Sequence, residues 1–325
     1  MVSLKSNLNL KRDISFMSEA IRLASQAGPD VYPNPKVGCI IVKGEKIISR
    51  ECTSKYGSNH AEKNALESID GNIKDLTMYV TMEPCHHHGK TPPCTDLINP
   101  NRFNRVVIAE RDPSVVAGGG AEFLKRNNIK VEIGVCKEEA RKLNSKFYIF
   151  HEQKRPYVIL KYASSLDGYI ALESGESKWI TNEKSRSLNH KKRSECDAIL
   201  VGRKTVQLDN PSLDSHGEGK DPIVIILDND RKIDKNSKVF QNNQKVIIFN
   251  KDDLNDSFKD NIKVILNKLY KMNVQSVLVE GGGGTITSFL ESGLFDELNA
   301  YIAPKLFGKG VPLFQSKSEN KNSYN

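Results

Sequence analysis

Long apolar runs are missing from this 325-residue chain; the longest, such as Val37–Val42 and Ile223–Leu227, are the size of a strand. A bilayer-spanning helix needs about 20 apolar residues in a row, and the opening MVSLKSNLNLKRD lacks the apolar core of a signal peptide. The expectation is a soluble cytoplasmic protein without a membrane partner. Cysteine is sparse as well. The six present (Cys39, Cys52, Cys85, Cys94, Cys136 and Cys196) are too few and too scattered for a disulfide framework. Nor is there a block of one charge sign: residues 1–152 hold 22 basic against 18 acidic side chains and 153–325 hold 26 against 22, so each half carries +4 of the net +8. That even spread speaks against a nucleic-acid-binding arm, while the mild positive balance suits an anionic small molecule as well as it suits a phosphate backbone.

With 38% hydrophobic and 27% charged residues the composition is that of a globular protein, and the length suits two domains of about 150 residues each. Phe16, Ala20, Leu23 and Ala27, with Met17, Ile21 and Ala24, recur at helical spacing. PDVYPNPK breaks that helix, and VGCIIV follows as a buried strand. Further on, His60–Ser68 reads as helix, Thr77–Thr81 as strand, Pro92–Ile98 as a helix start, Arg105–Ala109 as strand, Gly120–Asn127 as helix and Lys130–Ile133 as strand. The alternation predicts a largely parallel sheet covered on both faces, an α/β fold. A polar helix over Lys137–His151 should end before Pro156, which places a domain boundary between 153 and 154. The second half repeats the alternation. Tyr157–Tyr162, Ala198–Gly202, Ile223–Asp228, Lys245–Phe249 and Val277–Val279 read as strands, Thr181–Arg193 as a helix capped by Thr181, and Thr285–Ser292 as a helix after the turn Gly281–Gly284.

One constellation carries chemistry. His60-Ala61-Glu62 is followed by Glu83-Pro84-Cys85 and then Cys94, matching the H-x-E and P-C halves of the zinc nucleobase deaminase signature. An imidazole and two thiolates leave the fourth position of a zinc ion open to water, whose pKa falls toward about 7. A carboxylate beside the metal then carries the proton to the leaving ammonia, and Glu62 is placed for that. Eight residues, HHHGKTPP, separate the two cysteines where the generic motif has two, so His86, His87 and His88 compete with Cys94 for the third ligand position. A structural zinc knuckle is the bland alternative, although it normally takes four protein ligands.

YPNPKVGCIIV, HAEKNAL and TMEPCHHHGKTPPC resemble the bifunctional pyrimidine deaminase/reductases of bacterial riboflavin biosynthesis, and KYASSLDGYIALESGESKWIT and VEGGGGTI extend the resemblance over almost the whole chain. The resemblance implies a cytidine-deaminase-like three-layer αβα domain over 1–153 and a dihydrofolate-reductase-like α/β domain over 154–325. It implies zinc held by His60, Cys85 and Cys94, Glu62 as proton donor, and Asn34 against the pyrimidine. The implied reaction is deamination of 2,5-diamino-6-(ribosylamino)pyrimidinone 5′-phosphate, followed by NADPH reduction of its ribosyl group to ribityl. In the second domain Ala163, Trp179, Thr205, Asp209 and the stretch Gly282, Gly283, Gly284, Thr285, Ile286, Thr287 and Ser288 match cofactor positions. Ser177, Arg193, Leu213 and Glu280 match substrate positions. The family tends to self-associate, which makes a homo-oligomer an expectation.

The residues alone say less about this second site. A glycine run at the start of a helix can cradle a phosphate or be a plain turn. Trp179, the only tryptophan, can lie on a nicotinamide or in the core, and the basic run Lys184, Arg186, Lys191, Lys192 and Arg193 is usually a solvated face, although one arginine suits a phosphate. Tyr32 and His86 stand where the family usually has histidine and serine. Two further departures bear on the reductase: DNPSLDSHG puts His216 where the family has an arginine, and the chain stops soon after YIAPKLFGKGVPLF, where relatives continue. Rival readings are therefore a deaminase with a vestigial second domain, a tRNA adenosine or cytidine-type deaminase, and a zinc-stabilised interaction protein.

Overall fold

The computed structural model describes residues 2–89, 91–177, 180–254 and 258–314. Two compact units, Met1–Gln153 and Lys154–Asn325, divide the chain.

The first unit opens with α1 (Val2–Gln26), then β1 (Gly38–Lys43), β2 (Lys46–Cys52), α2 (Ala61–Glu67), β3 (Leu76–Met82), β4 (Phe103–Glu110), α3 (Gly120–Arg126), β5 (Lys130–Ile133), α4 (Lys137–Leu143) and α5 (Ser145–Gln153). Its sheet has the order β2-β1-β3-β4-β5. The strands β3, β4 and β5 run parallel, whereas β1 pairs antiparallel with both β2 and β3. The sheet is thus mixed and not largely parallel. The hairpin partner β2 carries Lys46, Arg50 and Glu51 and is mostly only half-buried, which hides the apolar signal of a strand.

Side-chain alternation distributes the core onto two faces. Cys39, Ile41, Met78, Val80, Val106 and Ile108 meet Ala61 and Ala65 of α2 and Ala121 and Leu124 of α3 on one face. On the other face Ile40, Val42, Tyr79, Val107 and Ala109 meet Met17 and Ala20 of α1 and Ala140 of α4. This is a three-layer αβα sandwich. A buried polar link ties α1 to the sheet: Tyr79 Oη donates to Asp13 Oδ1 at 2.6 Å, and Arg105 donates to both Asp13 oxygens at 2.9 and 2.6 Å.

Two local elements differ from the expected ones. Residues 137–151 do not form one helix; they break at Asn144, whose side chain is buried and bonded to the backbone of Lys36. The segment beginning at Pro92 makes only a 3-10 turn, Cys94–Leu97.

The second unit contains β6 (Tyr157–Ser165), β7 (Tyr169–Ala171), α6 (Glu183–Ser194), β8 (Ala198–Gly202), α7 (Arg203–Asp209), β9 (Ile223–Leu227), β10 (Val246–Phe249), α8 (Phe258–Lys271), β11 (Ser276–Glu280), α9 (Gly283–Ser292), β12 (Glu297–Ala303) and β13 (Val311–Pro312). Six strands form an all-parallel sheet of order β10-β9-β8-β11-β6-β12, and β7 pairs with β13. Val158, Leu200, Ile225 and Val279 face Ile262, Ile265 and Leu269 of α8 and Ile286 and Phe289 of α9, while Ile199, Val201, Val224 and Ile226 face Val206, Leu213 and Val239. The cap of α6 is Asn182, which accepts from Ser185 N at 3.0 Å, and not Thr181. Among the described residues no helix is long and apolar enough to cross a membrane.

Candidate active sites

In the first unit three segments converge. His60 is the N-cap of α2, Cys85 follows the end of β3, and Cys94 opens the 3-10 turn. His60 Nδ1 lies 3.5 Å from Cys85 Sγ and 3.3 Å from Cys94 Sγ, and Cys94 N donates to Cys85 Sγ at 3.4 Å. Among the described residues this is the one group of three His, Cys, Asp or Glu donors lying within 4.8 Å of one another. A tetrahedral zinc with bonds of about 2.0–2.3 Å would hold its nitrogen and sulfur ligands roughly 3.6 Å apart, so spacing and donor set both fit that ion. The three competing histidines lie elsewhere: His86 stacks on Phe123 at 4.2 Å and its Nδ1 is 3.0 Å from Thr95 Oγ1, while His87 and His88 are outside the cluster.

Glu62 sits in the first turn of α2 and is 3% exposed. Burial raises its carboxyl above the ordinary value, with the Cys85 charge adding to this and His60 opposing. The hydrogen bond from Cys94, helped by His60, pulls the Cys85 thiol down to about 4, toward the thiolate form that a zinc ligand needs. Asn34 lies half-buried in the loop after the cis Tyr32-Pro33 bond, its N donating to Val31 O at 3.1 Å. The Asn144 side chain fixes that same loop by accepting from Lys36 N and donating to Lys36 O, both at 2.8 Å.

Sequence reasoning overlooked Asn144, Glu83 and Asp112. Glu83 is buried and accepts from Ala121 N at 2.8 Å and Asp112 N at 3.2 Å, clasping the end of β3 to α3 and to the loop after β4. Its place in the Glu-Pro-Cys triplet was the available signal. Asp112 is pushed up to about 6 by burial, with Glu83 and Cys85 contributing. Gly120 completes the clasp, because a Cβ there would lie 1.9 Å from Pro84 O.

In the second unit the candidate residues gather where β8 and β11, neighbours in the sheet, feed α7 and α9. Ligands of parallel sheets bind at such carboxyl ends. Gly282 caps α9, and its N donates to Thr205 Oγ1 at 3.2 Å. The cradle is tight: a Cβ at Gly202 would lie 3.0 Å from Thr285 Oγ1. Ser177 Oγ donates to Asp209 Oδ1 at 2.9 Å. Arg193 is the one inward-turned side chain of the basic run, and its fork is spent on Glu280, with Nε and one terminal nitrogen each 2.9 Å from a carboxylate oxygen. Asn189 Nδ2 donates to the same carboxylate at 3.0 Å, and Lys161 lies 3.8 Å from it. Burial opposes ionisation of Glu280, but Arg193 and Lys161 outweigh it and hold the carboxyl at about 2.

Other expected positions lie apart from this group or face away. Leu213 is 2% exposed and packs in the core, so only its backbone, at φ +59, can meet a ligand. Ile286 and Thr287 are buried below the turn, because one helical turn carries α9 away from the cradle, and Ser288 Oγ donates back to Gly284 O at 2.6 Å. Ala163 pairs with Tyr301 along β6 and β12. Trp179 lies outside the described residues.

A family model for the cytidine and deoxycytidylate deaminase zinc-binding region matches residues 10–110, and one for the RibD C-terminal domain matches 156–323. The riboflavin biosynthesis protein RibD of Aquifex aeolicus is 40% identical over 318 residues, covering 93% of this chain and 89% of that protein. The chain belongs to the RibD family. The Escherichia coli RibD is 33% identical over 326 residues, covering 91% of this chain and 89% of that protein. A crystal structure of a Thermotoga maritima diaminohydroxyphosphoribosylaminopyrimidine deaminase/5-amino-6-(5-phosphoribosylamino)uracil reductase superposes with a TM-score of 0.83 at 39% identity, covering 97% of this chain and 94% of that one. Like other RibD proteins, the chain combines a zinc-binding deaminase domain with an NADPH-dependent reductase domain, and it is a riboflavin-biosynthesis enzyme.

Proposed function

We propose that the first unit hydrolytically deaminates 2,5-diamino-6-(ribosylamino)pyrimidinone 5′-phosphate and that the second reduces the ribosyl group of the product to ribityl. The observation that carries the first half is one imidazole nitrogen and two sulfurs from three segments at ligand spacing, with a buried carboxylate two residues from the imidazole. His60, Cys85 and Cys94 would hold zinc, which when bound supplies a Lewis acid that makes water acidic near neutral pH. Glu62 takes the proton from the attacking water and returns it to the departing amine, so that water oxygen replaces nitrogen on the ring carbon and ammonia leaves. Its buried setting keeps bulk water from competing for that proton. Asn34, on the loop that Asn144 anchors, positions the pyrimidine.

In the second unit Gly283 and Gly284 offer backbone N–H groups at the start of α9, a helix of 10 residues, to the negative charge of the cofactor. Thr205 borders that turn and Asp209, one helical turn further along α7 and bonded to Ser177, extends the cofactor site; NADPH when bound supplies the hydride. Ser177 faces the sugar-bearing substrate, and Arg193 and Glu280, bonded to each other, shape the wall of its site.

Glu62→Gln tests the first half. Zinc content is expected to stay near one per chain while ammonia release from the diaminopyrimidine falls by about 10²- to 10⁴-fold, the worth of a positioned proton carrier. Turnover within threefold of the parent would overturn the assignment. NADPH oxidation with the deaminated intermediate tests the second half, and zero turnover with intact ammonia release would favour a deaminase alone.

A further inference from the structure

We infer that the side-chain carbonyl of Asn189 on α6, buried beside Glu280 at the end of β11, accepts a hydrogen bond from a ribosyl hydroxyl of the reductase substrate. The inference rests on the reading of the second unit given above.

Glu280 closes β11, two residues before the Gly282 cap of α9, and is paired with Lys161 of the neighbouring strand β6. Both stand toward the carboxyl edge of a parallel sheet, where ligands of this architecture bind. Asn189 and Arg193 lie one turn apart on α6 and so share a face, and both are buried. Arg193 Nε and Asn189 Nδ2 donate to Glu280 Oε1 at 2.9 and 3.0 Å. The other oxygen accepts from the second Arg193 nitrogen at 2.9 Å and faces Lys161 Nζ at 3.8 Å. A third Arg193 nitrogen donates to Asp214 O at 3.2 Å. The ion pair is therefore closed on itself, with two donors on each carboxylate oxygen.

The amide is not closed. A carboxylate only accepts, so the part of Asn189 that meets Glu280 is its NH2, and the carbonyl faces elsewhere. Asn189 is 6% exposed, and its Oδ1 is buried with no hydrogen-bond partner among the described residues. The next residue repeats the pattern, since His190 Nδ1 is also buried and without a partner there. Native structures pair nearly all such atoms, because an unmet buried acceptor is costly. Packing alone would be served by leucine, which has the same shape and no such cost.

Chemistry narrows the partner to a donor. The phosphate of the substrate and the pyrophosphate of the cofactor offer oxygens that accept, and the Lys161 ammonium is turned to Glu280. Ribosyl hydroxyls donate, and they sit on the group that is reduced. Those on C2′ and C3′ keep their O–H through the reduction, so one contact holds both the ring and the opened chain.

The test uses the full chain, NADPH oxidation, and the deaminated intermediate in its natural, 2′-deoxy and 3′-deoxy forms. In the parent one deoxy form should show a KM about three- to tenfold above the natural one, the worth of one neutral hydrogen bond. In Asn189→Leu that ratio should fall to about one with the KM for NADPH unchanged; comparing ratios cancels what the lost bond to Glu280 does to binding in general. Asn189→Ser, whose hydroxyl is too short to reach the same place, should lose the discrimination too and serves should the leucine variant not fold. A ratio retained in either variant, or a parent that treats all three forms alike, overturns the inference. A higher KM for NADPH with sugar discrimination intact also overturns it and assigns Oδ1 to the carboxamide of the cofactor. Calorimetry with the three forms separates the two readings. A chain without reduction whose binding still shows the ratio refutes the reductase reading and leaves the contact standing, whereas normal reduction with equal affinities keeps that reading and removes the contact.

Discussion

The Glu280 carboxylate offers a quantitative test of the second unit. Glu280 is 8% exposed and takes three hydrogen bonds, two from Arg193 and one from Asn189, all within 3.0 Å. Its carboxyl lies at about 2 rather than 4.5, and that difference corresponds to about 3 kcal/mol of folding stability at neutral pH. Glu280→Gln keeps the shape but strands the buried Arg193 guanidinium, for which a loss of about 3–5 kcal/mol is expected at pH 7. The pH dependence fixes the cause. A carboxyl lowered in the folded state stabilises above the unfolded value and loses that contribution as pH falls toward the folded one. Between pH 4.5 and 2 the parent should therefore weaken by roughly 1.4 kcal/mol per pH unit relative to the variant, and the gap should shrink by about 2 kcal/mol on going from pH 7 to pH 3. Urea unfolding followed by fluorescence of Trp179, the only tryptophan and part of this unit, measures both. A gap under about 1 kcal/mol at pH 7, or one unchanged at pH 3, would refute the reasoning. Replacing Arg193 and Glu280 together by methionine should recover much of the loss, because no unpaired charge then remains buried.

Stripping zinc with a chelator should abolish ammonia release and spare NADPH oxidation, with added zinc restoring the former; parallel loss of both activities would contradict separate centres. Gly120→Ala drives a methyl to 1.9 Å from Pro84 O, and the resulting shift should destabilise the first unit by about 1–3 kcal/mol and lower its zinc affinity, read by metal competition. Asn144→Ala removes both bonds to Lys36 and should raise KM for the pyrimidine more than it lowers kcat; an unchanged KM would detach Asn144 from the substrate loop. Thr205→Val leaves Gly282 N–H without its acceptor, so KM for NADPH should rise several-fold with ammonia release untouched.

Much of this was legible in the chain itself, for reasons of chemistry and period. His60-Ala61-Glu62 and Pro84-Cys85 announce a metal and a proton carrier because few other side chains perform those tasks. Strands such as Ile223–Leu227 and the Phe16–Ala27 helix announce themselves because burial on one face imposes a spacing. The hairpin strand β2 escaped because half of it faces solvent, and the helix over Lys137–His151 looked continuous because nothing local marks Asn144 as a break. Its partner Lys36 is 108 residues away.

The sequence by itself determined which chemistries were possible: a thiolate–imidazole metal site, an alternating two-part α/β fold, and a glycine turn leading into a helix. Only the tertiary structure decided among the candidates. It brought Cys94 rather than His86, His87 or His88 to His60, although Cys94 is 34 residues from that partner. It turned the fork of Arg193 onto Glu280, 87 residues away, and laid His216 against His190. Residue type limits what a side chain can do, whereas its neighbours are chosen by chain crossings whose cost and reward are spread over the whole core, where no local pattern records them.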